Sequence, residues 1–91
     1  MLYNKLNKDA KTNLTPAEKM LYDLGFILKY ENEKYLCFIS EKDEVIQFIK
    51  EKNYGVSVFQ VNKDNSINHA KGLYPKEIKA IYAIMQERNV I

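Results

Sequence analysis

The stretch from Leu14 to Phe26, LTPAEKMLYDLGF, writes a helix start, one apolar face and a helix stop into thirteen residues, so it marks where a folded domain begins. Thr15 suits the N-cap, and Pro16 suits the first helical position because its missing N–H would go unpaired there anyway. Glu18 is placed to close a capping box. Ala17, Met20, Leu21 and Leu24 recur at helical spacing and share one face for burial. Gly25 can adopt the left-handed conformation that ends a helix, with Phe26 folding back onto Leu21 as the apolar half of a Schellman-type cap.

Downstream the apolar period shortens to two. FILKY (26–30) and YLCFIS (35–40) flank the polar connection Glu31-Asn32-Glu33-Lys34, which predicts a hairpin. Alternation places Phe26, Leu28 and Tyr30 on one face against Ile27 and Lys29 on the other, and Leu36 and Phe38 opposite Tyr35, Cys37 and Ile39. Apolar residues on both faces of the second strand argue for an interior position. Residues 41–53, EKDEVIQFIKEKN, read two ways. As a helix, Ser40 would cap and Val45, Ile46 and Ile49 would share a face; as a strand, Ile46 and Phe48 alternate with Val45, Gln47 and Ile49. We read a strand, because the apolar part is five residues of β-favouring type and so short a helix would depend wholly on tertiary packing. YGVSVFQV (54–61) is a strand with Val56, Val58 and Gln60 on one side and Ser57, Phe59 and Val61 on the other. Asn62 to Ser66 has turn composition, and Ile67 to Lys71 is expected to return as a short polar edge strand closed by Gly72.

Pro75 opens the last helix, PKEIKAIYAIMQERN, where Ile78, Ile81, Tyr82 and Met85 make the main stripe and Ala80, Ala83 and Ile84 widen it. A stripe this broad either packs into a groove over the sheet or supplies part of a subunit interface, for which Ile81, Ile84 and Met85 are the candidates. Val90 and Ile91 are expected to tuck against the body. The fold class is therefore α+β: an N-terminal helix, an antiparallel sheet of four or five strands and a C-terminal helix, with both helices on one face of the sheet. This makes one domain over 14–91. Residues 1–13, rich in lysine and asparagine, are expected to form a flexible basic arm from which Leu2, Tyr3 and Leu6 could make one contact with the body.

Ninety-one residues, 46% apolar and 29% charged, suffice for one hydrophobic core and not two. Of the 14 basic and 12 acidic residues, Lys5, Lys8, Lys11 and Asp9 precede residue 15, so the remaining 11 of each sign cancel. A neutral body favours neither a DNA-binding face nor a DNA mimic. The single cysteine, Cys37, lies in an apolar run without cationic neighbours and reads as a buried structural thiol; it excludes an internal disulfide and a cysteine-rich zinc site. The N-terminus lacks the apolar core of a signal peptide, and no apolar run approaches the ~20 residues that span a bilayer, so a soluble cytoplasmic protein is expected.

Catalytic patterns are thin. His69 is the one histidine, and nothing local brings it to Ser40, Ser57, Ser66 or Cys37. The carboxylates Glu41, Asp43 and Glu44 are interrupted by Lys42, and no recurrent metal-ligand spacing occurs, so neither metal nor cofactor is expected. Gly25, Gly55 and Gly72 stand too far apart to form a phosphate loop. What remains is binding. His69, Lys71, Tyr74 and Lys76 fall within eight residues beside a helix N-terminus, where unpaired N–H groups attract anions, and could hold a phosphorylated small ligand or an acidic partner surface.

EKMLYDLGF near the start, the IQF segment in the middle and PKEIKAIYAIMQE at the end resemble small accessory proteins of phages and prophages of low-GC Gram-positive bacteria, over about residues 15–88. The chain departs from that group at Tyr74, where a hydroxyl helix cap is common, and at Glu87-Arg88-Asn89-Val90-Ile91, where a Leu-Gly-Trp type ending is common. No functional residue carries over. The resemblance implies a non-enzymatic protein that counters host antiviral defence by occupying a defence protein or by sequestering a signalling nucleotide; the broad stripe of the last helix adds the expectation of a small oligomer whose interface it supplies. The alternative is a nucleic-acid-binding regulator that uses Lys5, Lys8 and Lys11 of the basic arm on phosphates.

Overall fold

The computed structural model describes Tyr3 and residues 13–91. The first helix, α1 (Pro16–Asp23), leads into β1 (Phe26–Glu31), β2 (Tyr35–Ser40), β3 (Glu44–Ile49), β4 (Gly55–Val61) and β5 (Ile67–Asn68); α2 (Pro75–Glu87) closes the chain. The strands form one antiparallel sheet in the order β1-β2-β3-β4-β5, each joined to its neighbour by a short turn. This is the expected α+β layout. Of the expected basic arm over 1–13, only Tyr3 and Asn13 fall among the described residues, so its lysines lie outside them.

The caps of α1 follow from its residues. The Glu18 N–H donates to Thr15 Oγ1 at 3.2 Å, and the Thr15 N–H donates to Glu18 Oε1 at 2.9 Å, closing the capping box. Gly25 ends the helix at φ +95°, and its N–H donates to the Tyr22 carbonyl at 3.0 Å. Residues 41–53 are strand first and a 3-10 turn (Lys50–Lys52) afterwards. The β2–β3 turn is held by Ser40, whose carbonyl accepts the Asp43 N–H and whose Oγ accepts the Lys42 and Glu44 N–H groups. Asp43 sits in the left-handed region at φ +59°, as a three-residue hairpin loop demands.

Both helices lie on one face of the sheet, and the main core fills the space between. Ala17 and Leu21 from α1 and Ala80, Ile81 and Ile84 from α2 close over Phe26, Leu36, Phe38, Ile46 and Phe48. Phe38 and Phe48 meet edge to face at 6.3 Å. The other face carries a smaller buried cluster of Ile27, Cys37, Ile39 and Val45.

Four expectations are corrected. Tyr30 does not share a face with Phe26 and Leu28: a bulge between Leu28 and Tyr30 shifts the register, pairs Tyr30 with Cys37 and turns its ring to the second face. The stripe that α2 buries is Glu77, Ala80, Ile81 and Ile84, one step round the helix from the one expected, leaving Ile78 and Tyr82 outside. Strand β5 is only two residues, because Asn68 turns away by accepting the Ala70 N–H on its own side chain. Ile91 stays exposed.

Candidate partner-binding surface

The four residues read as an anion site do not converge. Lys71 is taken up by the fold: its side chain is 4% exposed, and its Nζ donates to the Gly72 carbonyl at 2.9 Å and to Glu77 Oε1 at 3.2 Å, with Glu44 Oε2 at 3.9 Å. Glu77 is itself buried, and the same Oε1 accepts the Tyr74 N–H at 3.2 Å, which caps α2 from within. An anion at this helix start would have to displace two carboxylates. His69 leans instead on Phe59, centroid to centroid 6.1 Å, on the face away from the helices. Lys76 points toward α1, where it lines a shallow groove with Met20, Asp23, Leu24 and Lys79. His69, Tyr74 and Lys76 all stay exposed, Tyr74 at 70%.

The residues read as an oligomer interface are corrected in the same way. Ile81 and Ile84 are buried in the main core and offer no free face to a second subunit, and Met85 is half-buried against it. What α2 does present is Ile78 and Tyr82, 52% and 53% exposed. Ile78 and Tyr82 are four residues apart, which sets them side by side along the helix, and Tyr74 stands at its N-cap just before the first turn. Lys76 and Glu87 face α1, and at about 100° per residue Ile78 lies roughly 160° round from Lys76, on the flank away from α1. Val56 in β4, paired with Phe48 and so on the helix-covered face of the sheet, is also exposed. The breadth of the apolar stripe was the readable signal for this surface; its rotation was set by Glu77, which turns inward to meet Lys71.

Elsewhere, a cavity of about 530 Å³ on the second face of the sheet is lined by Lys29, Ile39, Asp43, Val61, Asn62 and Lys63 among others. Burial pushes the Cys37 thiol up to about 11, which keeps it protonated and inert at neutral pH. Among the described residues, no group of histidine, cysteine or carboxylate side chains is arranged to hold a metal ion. None of the described helices is long and apolar enough to cross a membrane. No protein-family model, curated protein or solved structure matches the chain.

Proposed function

We propose that the chain is a non-enzymatic accessory protein of the phage type that acts by occupying a protein partner, a component of host antiviral defence, inside the bacterial cell. The observation that supports this reading is the exposed pair Ile78 and Tyr82 on a helix whose inward face is already filled, with Tyr74 exposed at its N-cap. Large apolar and aromatic side chains in a line on a rigid helix are suited to a groove in another protein, where tyrosine contributes area with little loss of conformational freedom. The phage setting comes from the resemblance alone.

The test is capture from host lysate by the tagged protein and by its Ile78→Asp and Tyr82→Asp variants. Both residues are on the outside, so each variant should melt within about 4 °C of the parent, since surface changes stay within about 0.5 kcal/mol. A partner retained by the parent and lost from both variants is the expected result. Equal capture by all three would refute the surface.

A second reading, capture of a signalling nucleotide, is favoured by the 530 Å³ cavity, where Lys29 and Lys63 flank an apolar floor of Ile39 and Val61. Cations beside a flat apolar floor suit a phosphate and a base. Thermal shift against linear and cyclic nucleotides tests it, because a ligand at ~100 times its dissociation constant adds about 2.7 kcal/mol. The nucleic-acid alternative rests on Lys5, Lys8 and Lys11, which lie outside the described residues, and would show as affinity falling steeply with salt.

A further inference from the structure

The outer edge of β4 is only partly paired. Strand β5 meets it at Gln60 and Val61 and goes no further, because the chain turns off at Asn68. The Val61 N–H donates to the Asp43 carbonyl at 2.9 Å, on the β3 side, and the Asn62 N–H donates to the Ser66 carbonyl at 2.8 Å, on the β5 side. Backbone groups alternate along a strand, so Gly55, Ser57 and Phe59 aim theirs at β3 while Val56 and Val58 aim theirs outward. Among the described residues no strand pairs with Val56 or Val58 on that side, and Val56 is 37% exposed.

The opposite edge of the sheet is built differently. There β1 carries a bulge between Leu28 and Tyr30, with Lys29 in it, and the Leu28 N–H is already taken by the Tyr22 hydroxyl at 3.4 Å. A bulge, a lysine and a covered N–H all keep a further strand from adding. The stretch Gly55 to Phe59, GVSVF, has no charge, no proline and no shift of register.

We infer that the open edge of β4 pairs, antiparallel, with the same edge of a second copy of this chain about a two-fold axis at Ser57, joining the two sheets into one. The stretch is complementary to itself in that register. Val56 exchanges N–H···O=C bonds with the partner's Val58, the axis repeats the exchange at Val58, and no outward backbone group is left over. On the helix-covered face the valines meet as β-branched pairs; on the second face Gly55 leaves room for Phe59 of the partner subunit, and the two Ser57 side chains meet on the axis. Because the stretch is uncharged, the axis brings no like charges together. The contact is short, so the dimer is a weak, concentration-dependent one. It uses neither Ile78 nor Tyr82, so it stands or falls separately from the partner surface on α2.

Cysteine placement reads the register. Residues opposed in a non-hydrogen-bonded antiparallel pair have Cα atoms about 4.5 Å apart, within disulfide range, whereas Val56 and its own counterpart are offset along the strands. Mild oxidation should link Ser57→Cys into a dimer at least about tenfold faster than the more exposed Val56→Cys. The parent, whose Cys37 is buried, is the blank. In sedimentation the mass of the parent should rise with concentration, Ser57→Lys should stay monomeric, and an equimolar mixture of Ser57→Lys and Ser57→Glu should dimerise again, with circular dichroism showing each variant folded. Equal linkage rates for Ser57→Cys and Val56→Cys, or a parent that is monomeric at every concentration, would overturn the inference. A monomeric parent that captures a lysate protein which Ser57→Lys loses would overturn it too, by assigning the edge to a strand of another protein.

Discussion

Thr15 and Glu87 stand 72 positions apart, and their side chains meet at 2.6 Å, Thr15 Oγ1 donating to Glu87 Oε1. The second oxygen of Glu87 accepts the Ala17 N–H at 3.0 Å. The last residue of α2 thus completes the first turn of α1, placing a negative charge where unpaired N–H groups and the helix dipole favour one. Glu87→Ala should cost about 1–2 kcal/mol in urea unfolding, as loss of a charged cap does elsewhere. Thr15→Val and Glu87→Ala should combine non-additively by about 0.5–1 kcal/mol. Simple additivity would mean that the two side chains do not cooperate in solution.

Lys71 gives a second expectation. Removing it strands the buried Glu77 beside Glu44, and the cost of an uncompensated buried charge falls on the fold. Lys71→Ala should therefore destabilise by about 2–4 kcal/mol, whereas Lys76→Ala, exposed in the first turn of α2, should stay within about 0.5 kcal/mol. Chemical denaturation of the two variants decides between a structural lysine and one held in reserve for a ligand. Similar small losses in both would return Lys71 to the list of candidate ligand groups.

The contrast between those two lysines shows what could be read in the sequence. Thr15, Pro16, Glu18 and Gly25 announce α1 because capping and termination are local chemistry, decided within a few residues. The strands are legible for the same reason, since their period of two survives without knowledge of the neighbour. Three features are not local. The bulge at Lys29 turns Tyr30 over, and a register shift leaves no mark in an alternating pattern. The inward rotation of α2 depends on Glu77 meeting Lys71, which also reaches Glu44 at the start of β3. Glu87 reads as a solvated helix end until Thr15 arrives beside it. A candidate site built from sequence proximity, such as His69 to Lys76, fails where the backbone turns through the sheet edge and sends successive side chains to different faces.

Backbone conformation supplies a third expectation. Asn89 ends α2 at φ +60°, with the Asn89 N–H on the Gln86 carbonyl and the Val90 N–H on the Met85 carbonyl, the paired bonds of a Schellman cap. Asn53 stands at φ +55° with Tyr54 at φ +59° beside it. Glycine meets this geometry without a Cβ penalty, so Asn89→Gly and Asn53→Gly should each gain a few tenths to about 1 kcal/mol in thermal or urea unfolding. Gly25→Ala, at φ +95° with open space around the missing Cβ, should lose about 1 kcal/mol from conformation alone. A loss on Asn89→Gly would show that the asparagine side chain holds something that its φ does not reveal.

Glu31 sets the acid limit of the fold. At the end of β1 its carboxylate receives both Arg88 from beyond α2 and Lys50 from the 3-10 turn, the latter at 2.7 Å, so it ties the last helix and the β3–β4 connection to the edge of the sheet. The Arg88 guanidinium foremost, and Lys50 after it, hold the carboxyl at about 2, against an ordinary value of 4.5. Because the folded value lies below the unfolded one, the stabilisation is fully present above about pH 4.5 and is lost as the pH falls toward 2. With a third of the side chain open to solvent, screening reduces the contribution to about 1–2 kcal/mol. Urea midpoints from pH 6 down to pH 2 should converge for the parent and Glu31→Gln as the acid limit is approached, and the gap at pH 6 should narrow in high salt. In Arg88→Met, a carboxyl-carbon NMR titration should find Glu31 returned toward the ordinary range. A parent and Glu31→Gln that keep a constant difference across this window would show that the ion triad contributes nothing to acid stability.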